Sequence, residues 1–267
     1  MPNQTTPATT SRTRLGRAAC LAALLAVLAA PAWAEKEADY EKLMADKSPA
    51  IVTIKFMLKM KSQWGDHEAE QEVPGVLIGK DGLLLCANSH FGGAWLANSG
   101  VTVTPSDFKI LIGDDTEGRE ASLIARDTDL DLAWLRLKEV GEKPVTYVNL
   151  EKTATPVVGE RLYALSRLSK FFDRIPVIGE MRMGGATEKP RSLYIPSGGS
   201  GPVGLPVFNT DGLVVGVSIT QMPTDEEADP RGGGGGIMIL PADKVVKATE
   251  RALATVTDEA EGEDEKE

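Results

Sequence analysis

Cysteine and histidine are scarce in this sequence of 267 residues, which holds two of each. Cys20 falls in an N-terminal segment that we expect to be removed, which leaves Cys86 without a partner for an internal disulfide. The core alone must then stabilise the fold. Because Cys86 stands in the apolar run Leu83–Ala87, we expect it to be a small buried hydrophobic residue and not a reactive thiol. No cofactor and no metal are expected.

The N-terminal apolar run is too short for a comfortable membrane span. It covers Ala18–Ala30, follows a segment with three arginines, and precedes the small-x-small sequence Ala32-Trp33-Ala34. These three parts are typical of a signal peptide. We therefore predict a signal peptide over 1–34, cleavage after Ala34, and export to a periplasm or out of the cell, with no membrane span afterwards. A retained N-terminal anchor is the alternative.

Basic residues are fewer than acidic ones, with 29 Lys and Arg against 39 Asp and Glu, a net charge of −10. Removing the signal peptide takes away three arginines and no acid, which changes the charge to −13. This balance argues against nucleic acids and anionic membrane surfaces as partners. The last ten residues, Asp258–Glu267, hold seven acids and one lysine. We predict an acidic disordered tail over 257–267, with a dedicated interaction tail as the alternative.

Short β-branched and apolar segments separated by turn residues dominate the middle of the chain. Asp81-Gly82 and Asp211-Gly212 mark two tight turns, where glycine adopts a positive φ at little cost. This pattern alone predicts an all-β barrel or sandwich. Helices are expected only at the ends, a short one within 38–47 and a longer one that begins at Pro241 and reaches 256. The predicted strands are 50–56, 76–79, 83–86, 109–112, 121–125, 132–137, 161–165, 207–208, 213–217 and 237–240.

Two segments carry residues suited to proton transfer. His90 follows the Asp81-Gly82 hairpin by one strand and ends the sequence Asn88-Ser89-His90, and Asp131 directly precedes the apolar strand Leu132–Leu135. Both segments resemble motifs of the HtrA-type trypsin-like serine proteases, the second one being similar to "Asp-x-x-x-Asp-Leu-Ala-x-Leu". The resemblance covers about residues 47–250. It implies that His90 and Asp131 are the general base and its orienting carboxylate.

The same resemblance predicts the architecture. It implies a lead-in over 35–46 and a peptidase domain over 47–256. That domain would hold one six-stranded barrel at about 47–140, a second at about 145–240, and a C-terminal helix over 241–256. The catalytic cleft would lie between the barrels. We expect no PDZ-like segment after the helix, although one often follows such a domain in this family.

The nucleophile motif departs from the family pattern. The family sequence Gly-Asn-Ser-Gly-Gly-Pro aligns without a gap to Gly201–Pro206, which places Val203 at the serine position. Valine has no nucleophilic atom, so acyl-enzyme chemistry cannot proceed through it. Ser200 offers a competing register as an alternative nucleophile. The resemblance also implies an oxyanion hole formed by the Gly201 and Val203 amides, and a substrate-binding strand at Ser218 and Ile219.

Three functions follow from these residues. The leading hypothesis is an exported pseudoprotease that binds an extended peptide or a protein partner in the old cleft by strand addition. The second is an active endopeptidase that uses Ser200 with His90 and Asp131. The third is a structural or partner-regulating module whose cleft has collapsed.

Overall fold

The computed structural model describes residues 39–63, 65–92, 101–142, 144–223 and 235–264. The predicted signal peptide, its cleavage site, the whole segment Thr224–Gly234 and the last three residues lie outside the described residues. Among the helices described, none is long and apolar enough to cross a membrane.

The N-terminal half of the domain forms a closed antiparallel barrel in the order β1-β2-β3-β6-β5-β4. Its longest hairpin joins β1 to β2 in unbroken register from Ile51 opposite Val76 to Ser62 opposite Gly65. The central pair, β3 with β6, is buried along its whole length except at Arg136. The strands are β1 (Ile51–Ser62), β2 (Gly65–Leu77), β3 (Leu83–Ala87), β4 (Thr102–Leu111), β5 (Arg119–Asp127) and β6 (Leu132–Leu137).

The C-terminal half forms a second closed antiparallel barrel in the order β10-β11-β12-β9-β8-β7. Two six-stranded barrels confirm the predicted all-β, two-barrel fold. The strands are β7 (Arg161–Arg167), β8 (Pro176–Thr187), β9 (Leu193–Ser197), β10 (Pro206–Phe208), β11 (Val214–Gln221) and β12 (Gly236–Pro241).

One hydrophobic core is shared by the two barrels and the C-terminal helix. Leu85 and Trp134 enter it from the first barrel, Tyr163 and Phe208 from the second, and Val245 from the helix; all are at most 1% exposed. Truncating a buried aromatic of this kind to alanine typically costs about 3–5 kcal/mol of stability. This shared core fixes the two barrels against each other and so fixes the cleft between them.

Two helices flank the barrels. Helix α1 (Tyr40–Lys47) begins at Asp39, whose side chain accepts a hydrogen bond from the Lys42 amide at 2.9 Å. Helix α2 (Ala242–Asp264) continues past the predicted end at 256. The segment predicted to be a disordered tail therefore begins inside the helix. Glutamate and alanine are good helix formers, and they supply four of the six residues from 259 to 264.

Candidate functional site

His90 lies in a short 3-10 turn, Asn88–Phe91, that follows β3 directly. Two groups hold this turn in place. The Asn88 amide donates to the Asp131 carbonyl at 3.1 Å. The Arg126 guanidinium donates to the Asn88 side-chain oxygen and to the Phe91 carbonyl, and it stacks 5.9 Å above the Phe91 ring. The imidazole is thus positioned by first-barrel residues on both sides of the turn.

Asp131 is 5% exposed and adopts a left-handed backbone conformation with φ 53°, directly before β6. Its carboxylate accepts hydrogen bonds from the Ser89 amide at 2.7 Å, the Ser89 hydroxyl at 3.2 Å and the Thr220 amide at 2.8 Å. Thr220 belongs to β11, so this carboxylate links the two barrels. Among the described contacts, the hydrogen-bond donors to the Asp131 carboxylate are Ser89 and Thr220. The negative charge of Asp131 also acts on the nearby His90 ring and raises its pKa.

The environment of His90 favours a neutral ring. Burial lowers the pKa of His90 below its ordinary value of 6.5, while the nearby backbone of Val203 and the negative charge of Asp131 oppose this shift. The Nε2 atom is shielded from solvent, and no described residue forms a hydrogen bond with it. Within the described part of the chain, His90 Nε2 therefore has no hydroxyl group as a hydrogen-bond partner.

The loop Gly201–Leu205 brings Val203 to this imidazole. Gly204 has φ +83°, and a Cβ atom placed on it would lie 2.2 Å from the Ala87 amide nitrogen, so only glycine fits there. The Gly204 amide donates to the Ser218 carbonyl at 2.7 Å, and the Ser218 amide donates to the Leu205 carbonyl at 3.0 Å. Leu205 is fully buried in the shared core. The loop is thus fixed between β3 and β11.

Ser200 has a different setting. It is exposed, and the preceding Gly199 lies against β8, where an added Cβ atom would come 3.0 Å from the Glu180 carbonyl oxygen. No described contact joins Ser200 to His90, whose pKa responds to the Val203 backbone instead. The structure thus places His90 beside the Val203 backbone and the Asp131 charge, and it describes no contact between Ser200 and this group.

The predicted oxyanion-hole residues, Gly201 and Val203, stand on either side of Pro202 in the loop. Gly201 is buried, and a Cβ atom on it would meet Ala164 at 2.8 Å and both Met181 and Ser218 at 3.2 Å. Val203 is half-buried. Gly201 therefore has no room for a side chain, whereas the use of its amide and that of Val203 for oxyanion binding stays a prediction.

The predicted substrate strand at Ser218 and Ile219 stays a prediction, and the backbone of both residues already has partners in this structure. Both polar backbone groups of Ser218 are hydrogen-bonded to the Gly201–Leu205 loop, and Ile219 pairs with Met238 of β12. The Thr220 amide is held by Asp131. An added strand cannot pair with Ser218 while these bonds are present, because each backbone amide donates once.

Three residues of this site escape sequence reasoning. Ser89 stands beside His90, and Arg126 stands five positions before Asp131, so their positions in the motifs could have marked both of them. Thr220 lies 89 residues from Asp131 in the chain. Only the closure of the second barrel against the first brings it to the carboxylate.

Comparisons with known proteins agree with this architecture. The family model of the trypsin-like peptidase domain matches residues 74–217. The solved structure of Deg5, an HtrA-type protein, superposes with a TM-score of 0.52 at 19% sequence identity, covering 78% of this chain and 90% of the Deg5 chain. This similarity shows the shared fold. No curated protein sequence matches at a significant level.

The matched segment includes the turn that carries His90, the Asp131 strand entrance and the whole Val203 loop. It also covers more than half of the chain. The predicted HtrA-type, trypsin-like fold is therefore confirmed, and the chain belongs to the trypsin-like peptidase family.

Proposed function

We propose that this protein is a catalytically inactive member of its family that binds an extended peptide or protein segment in the cleft between the barrels. The observation that carries the proposal is the position of Val203, whose backbone adjoins the His90 imidazole. A side chain at this position is where a nucleophile would meet its general base, and valine has neither a nucleophilic atom nor a transferable proton.

The hydrogen bonds around the site support the same conclusion. A catalytic aspartate holds its histidine in one tautomer by accepting a hydrogen bond from the ring. Here the described donors to the Asp131 carboxylate are Ser89 and Thr220, and the His90 ring is not among them. His90 Nε2, the atom that would face a nucleophile, has no described partner either. An imidazole without that orienting bond and without a neighbouring hydroxyl is a poor general base, whatever its pKa.

Peptide binding is supported by the end of β11. After Thr220, this strand reaches Gln221 and the exposed Met222, which is 64% accessible. Its partner β12 begins at Gly236, opposite Gln221. A peptide backbone could add beside this end of the strand without breaking the bonds of Ser218, with its side chains directed toward the cleft.

A peptide-library experiment tests binding and cleavage together. The wild-type protein is incubated with a proteome-derived peptide library, and mass spectrometry follows both retained peptides and new peptide termini. We expect retained, intact peptides from the wild type and from Val203→Ser. The single substitution should not restore hydrolysis, because no described hydrogen bond joins the His90 ring to the Asp131 carboxylate, and Pro202 and the buried Leu205 still replace the family's asparagine and glycine in the loop.

Two results would contradict the proposal. Cleavage by the wild type that disappears in Ser200→Ala would show that Ser200 is an active nucleophile. A protein that folds but retains no peptide would support a collapsed cleft instead. Val157→Ser provides a matched control for Val203→Ser, because Val157 is 68% exposed and lies outside the site.

Export is part of the proposal and has its own test. The arginines, the apolar run Ala18–Ala30 and the sequence Ala32-Trp33-Ala34 support a cleaved signal peptide. N-terminal sequencing of the protein recovered from outside the cytoplasm should begin at Glu35. Ala32→Arg should block processing, because a large charged residue does not suit the small-x-small site. A wild-type protein that keeps residues 1–34 in the membrane would contradict this part.

A further inference from the structure

A cavity of about 630 Å³ lies between helix α2 and both barrels, and none of its lining residues belongs to the His90 site. Leu130 lines it from the β5–β6 turn, Ser192 from the β8–β9 turn and Leu240 from β12. Ligand sites often lie where structural units meet, and a volume of this size is typical of them. Four cationic side chains also line the cavity: Arg191, Lys244, Lys247 and Arg251.

Little in the structure neutralises these cations. Lys244 lies 3.3 Å from the neighbouring Asp243 carboxylate. For the other three, no carboxylate of the described residues comes within the 4.0 Å of an ion pair. Glu250 is the one acid in the lining, so four cations against one acid leave it with a charge of +3, in a chain whose net charge is −10. The cavity therefore attracts anions on a molecule that otherwise repels them.

Helix α2 holds three of the cations in a fixed row. Its inner face is buried in the shared core through Val245 and Ala248, and the Thr249 hydroxyl accepts a hydrogen bond from the Trp134 indole at 3.0 Å. These contacts prevent the helix from turning about its axis. The exposed side, at spacings of three and four residues, carries Lys244, Lys247 and Arg251.

One of these cations opposes the helix dipole. The N-terminal end of a helix is positive and favours acids. Lys244 is the third residue of α2, which begins at Ala242, so it stands in the first turn. A bound anion would compensate this unfavourable charge.

The row is too long for a compact anion. At 1.5 Å per residue, about 10 Å of helix separate Lys244 from Arg251, so a single phosphate would contact only part of the row. Compact phosphates typically bind the backbone amides at a helix N-terminus. Here the α2 part of the lining begins at Lys244, and the first turn carries the acidic Asp243. The cavity therefore suits a ligand with several anionic groups in series.

An extended polypeptide has anionic groups at the required spacing. Every second side chain of such a segment lies on the same side, about 6.6 Å apart, and Lys247 and Arg251 are about 6 Å apart along the helix. Three alternating acids span about 13 Å, which covers the whole row. The side chains between them point the other way, where apolar ones could contact Leu130 and Leu240.

We propose that this cavity binds an acidic segment of a partner protein in extended conformation, in which acidic and apolar side chains alternate. The site is separate from the cleft, and it does not depend on the function proposed for the cleft. Its recognition rests on the charge of the α2 row and of Arg191, and on the spacing of the acids along the bound segment.

Isothermal titration calorimetry with the purified protein tests the proposal. The probe is the peptide acetyl-Glu-Val-Glu-Val-Glu-amide, and two comparison ligands are acetyl-Glu-Glu-Glu-Val-Val-amide and sodium tripolyphosphate. The variant R191Q/K247Q/R251Q removes three of the cations, and glutamine forms helices about as well as lysine and arginine. The matched control K80Q/K109Q/K152Q changes the net charge equally, at exposed positions outside the cavity.

We expect the alternating peptide to bind the wild type and the control variant alike, and about tenfold or more weaker to R191Q/K247Q/R251Q. The two comparison ligands should bind the wild type more weakly than the alternating peptide does. Raising NaCl from about 0.05 M to 0.5 M should weaken the peptide's binding, because salt screens exposed charges.

A charge swap guards against a variant that merely misfolds. K247E/R251E should lose the acidic peptide and gain acetyl-Lys-Val-Lys-Val-Lys-amide, with far-UV circular dichroism verifying the fold. Four results would overturn the proposal: a wild type that does not bind the alternating peptide, equal losses in the cavity variant and its control, tighter binding of tripolyphosphate than of the peptide, or a folded charge-swapped variant that does not bind the basic peptide.

Discussion

The contact between Gly204 and β3 offers a quantitative test of how the Val203 loop is positioned. We consider the substitution Gly204→Ala. The added Cβ atom would lie 2.2 Å from the Ala87 nitrogen and 2.8 Å from the Cys86 carbonyl carbon, both of them backbone atoms in a fully buried strand. Neither can move without disturbing the β3–β6 pairing, so the loop must shift away from His90.

The expected loss has two parts. Alanine at a positive φ costs about 1–2 kcal/mol relative to glycine, less the gain from a stiffer unfolded chain, about 0.4–1 kcal/mol. The collision with β3 adds about 1–3 kcal/mol, the usual cost of overpacking. Gly159→Ala is the matched control, because Gly159 has φ +90° and no atom within 4 Å of the added Cβ. Gly159→Ala should therefore lose only the free energy that alanine costs at a positive φ, without the cost of a collision.

Urea unfolding of the two variants measures the difference. We expect Gly204→Ala to lose about 1–3 kcal/mol more than Gly159→Ala, with similar m values. In a thermal scan this corresponds to a midpoint about 2–4 °C lower for each kcal/mol. Equal losses in the two variants would show that the loop does not press against Ala87, and the placement of Val203 at His90 would then be wrong.

Three further predictions concern ionisable groups. Burial lowers the pKa of His90, so the unfolded chain binds a proton at this ring more readily than the folded chain does. The free energy of unfolding of the wild type should therefore fall as the pH drops below about 6.5. His90→Gln should flatten this pH dependence, which urea titrations at several pH values measure. The Arg174 guanidinium lowers the pKa of Glu72 through hydrogen bonds of 2.6 and 2.9 Å. A double-mutant cycle with Glu72→Gln and Arg174→Met should give a coupling of about 1 kcal/mol at pH 7 that disappears as acid protonates Glu72, and a coupling near zero at pH 7 would contradict this geometry. Burial raises the pKa of the Cys86 thiol, so Ellman's reagent should label the protein in urea and leave the native state unlabelled; rapid native labelling would contradict a buried thiol.

The strands that form short apolar runs or contain β-branched residues could be predicted from the sequence. The buried pair Leu83–Ala87 and Leu132–Leu137 and the first strand from Ile51 are examples. Strand β8 could not be, because Gly179, Gly184 and Gly185 interrupt its pattern and its pairing depends on β7 and β9. Strand β9 contains Pro196 and only five residues. Such strands form because they complete a closed barrel through pairing with distant strands, and no local sequence pattern predicts this pairing.

The candidate site shows the same division. The turn that carries His90 and the strand entrance at Asp131 have local sequence patterns, and the gap-free alignment places Val203 in the third motif. The partners of the Asp131 carboxylate have no such pattern, since Thr220 arrives from the opposite barrel. The peptide pairing expected at Ser218 stays a prediction, and it meets a competitor in the folded chain. The loop that holds Val203 uses the backbone of Ser218, and only the folded chain reveals this competition.

The absence of a working serine nucleophile is the central claim, and covalent labelling with a fluorophosphonate tests it most directly. The purified wild-type protein is incubated with an excess of the probe, and intact-mass spectrometry measures the product, with His90→Ala treated in parallel. We predict an unchanged mass for both proteins, because Val203 cannot be phosphonylated and Ser200 has no described contact with His90. A single adduct on the wild type that is lost in His90→Ala would contradict the account.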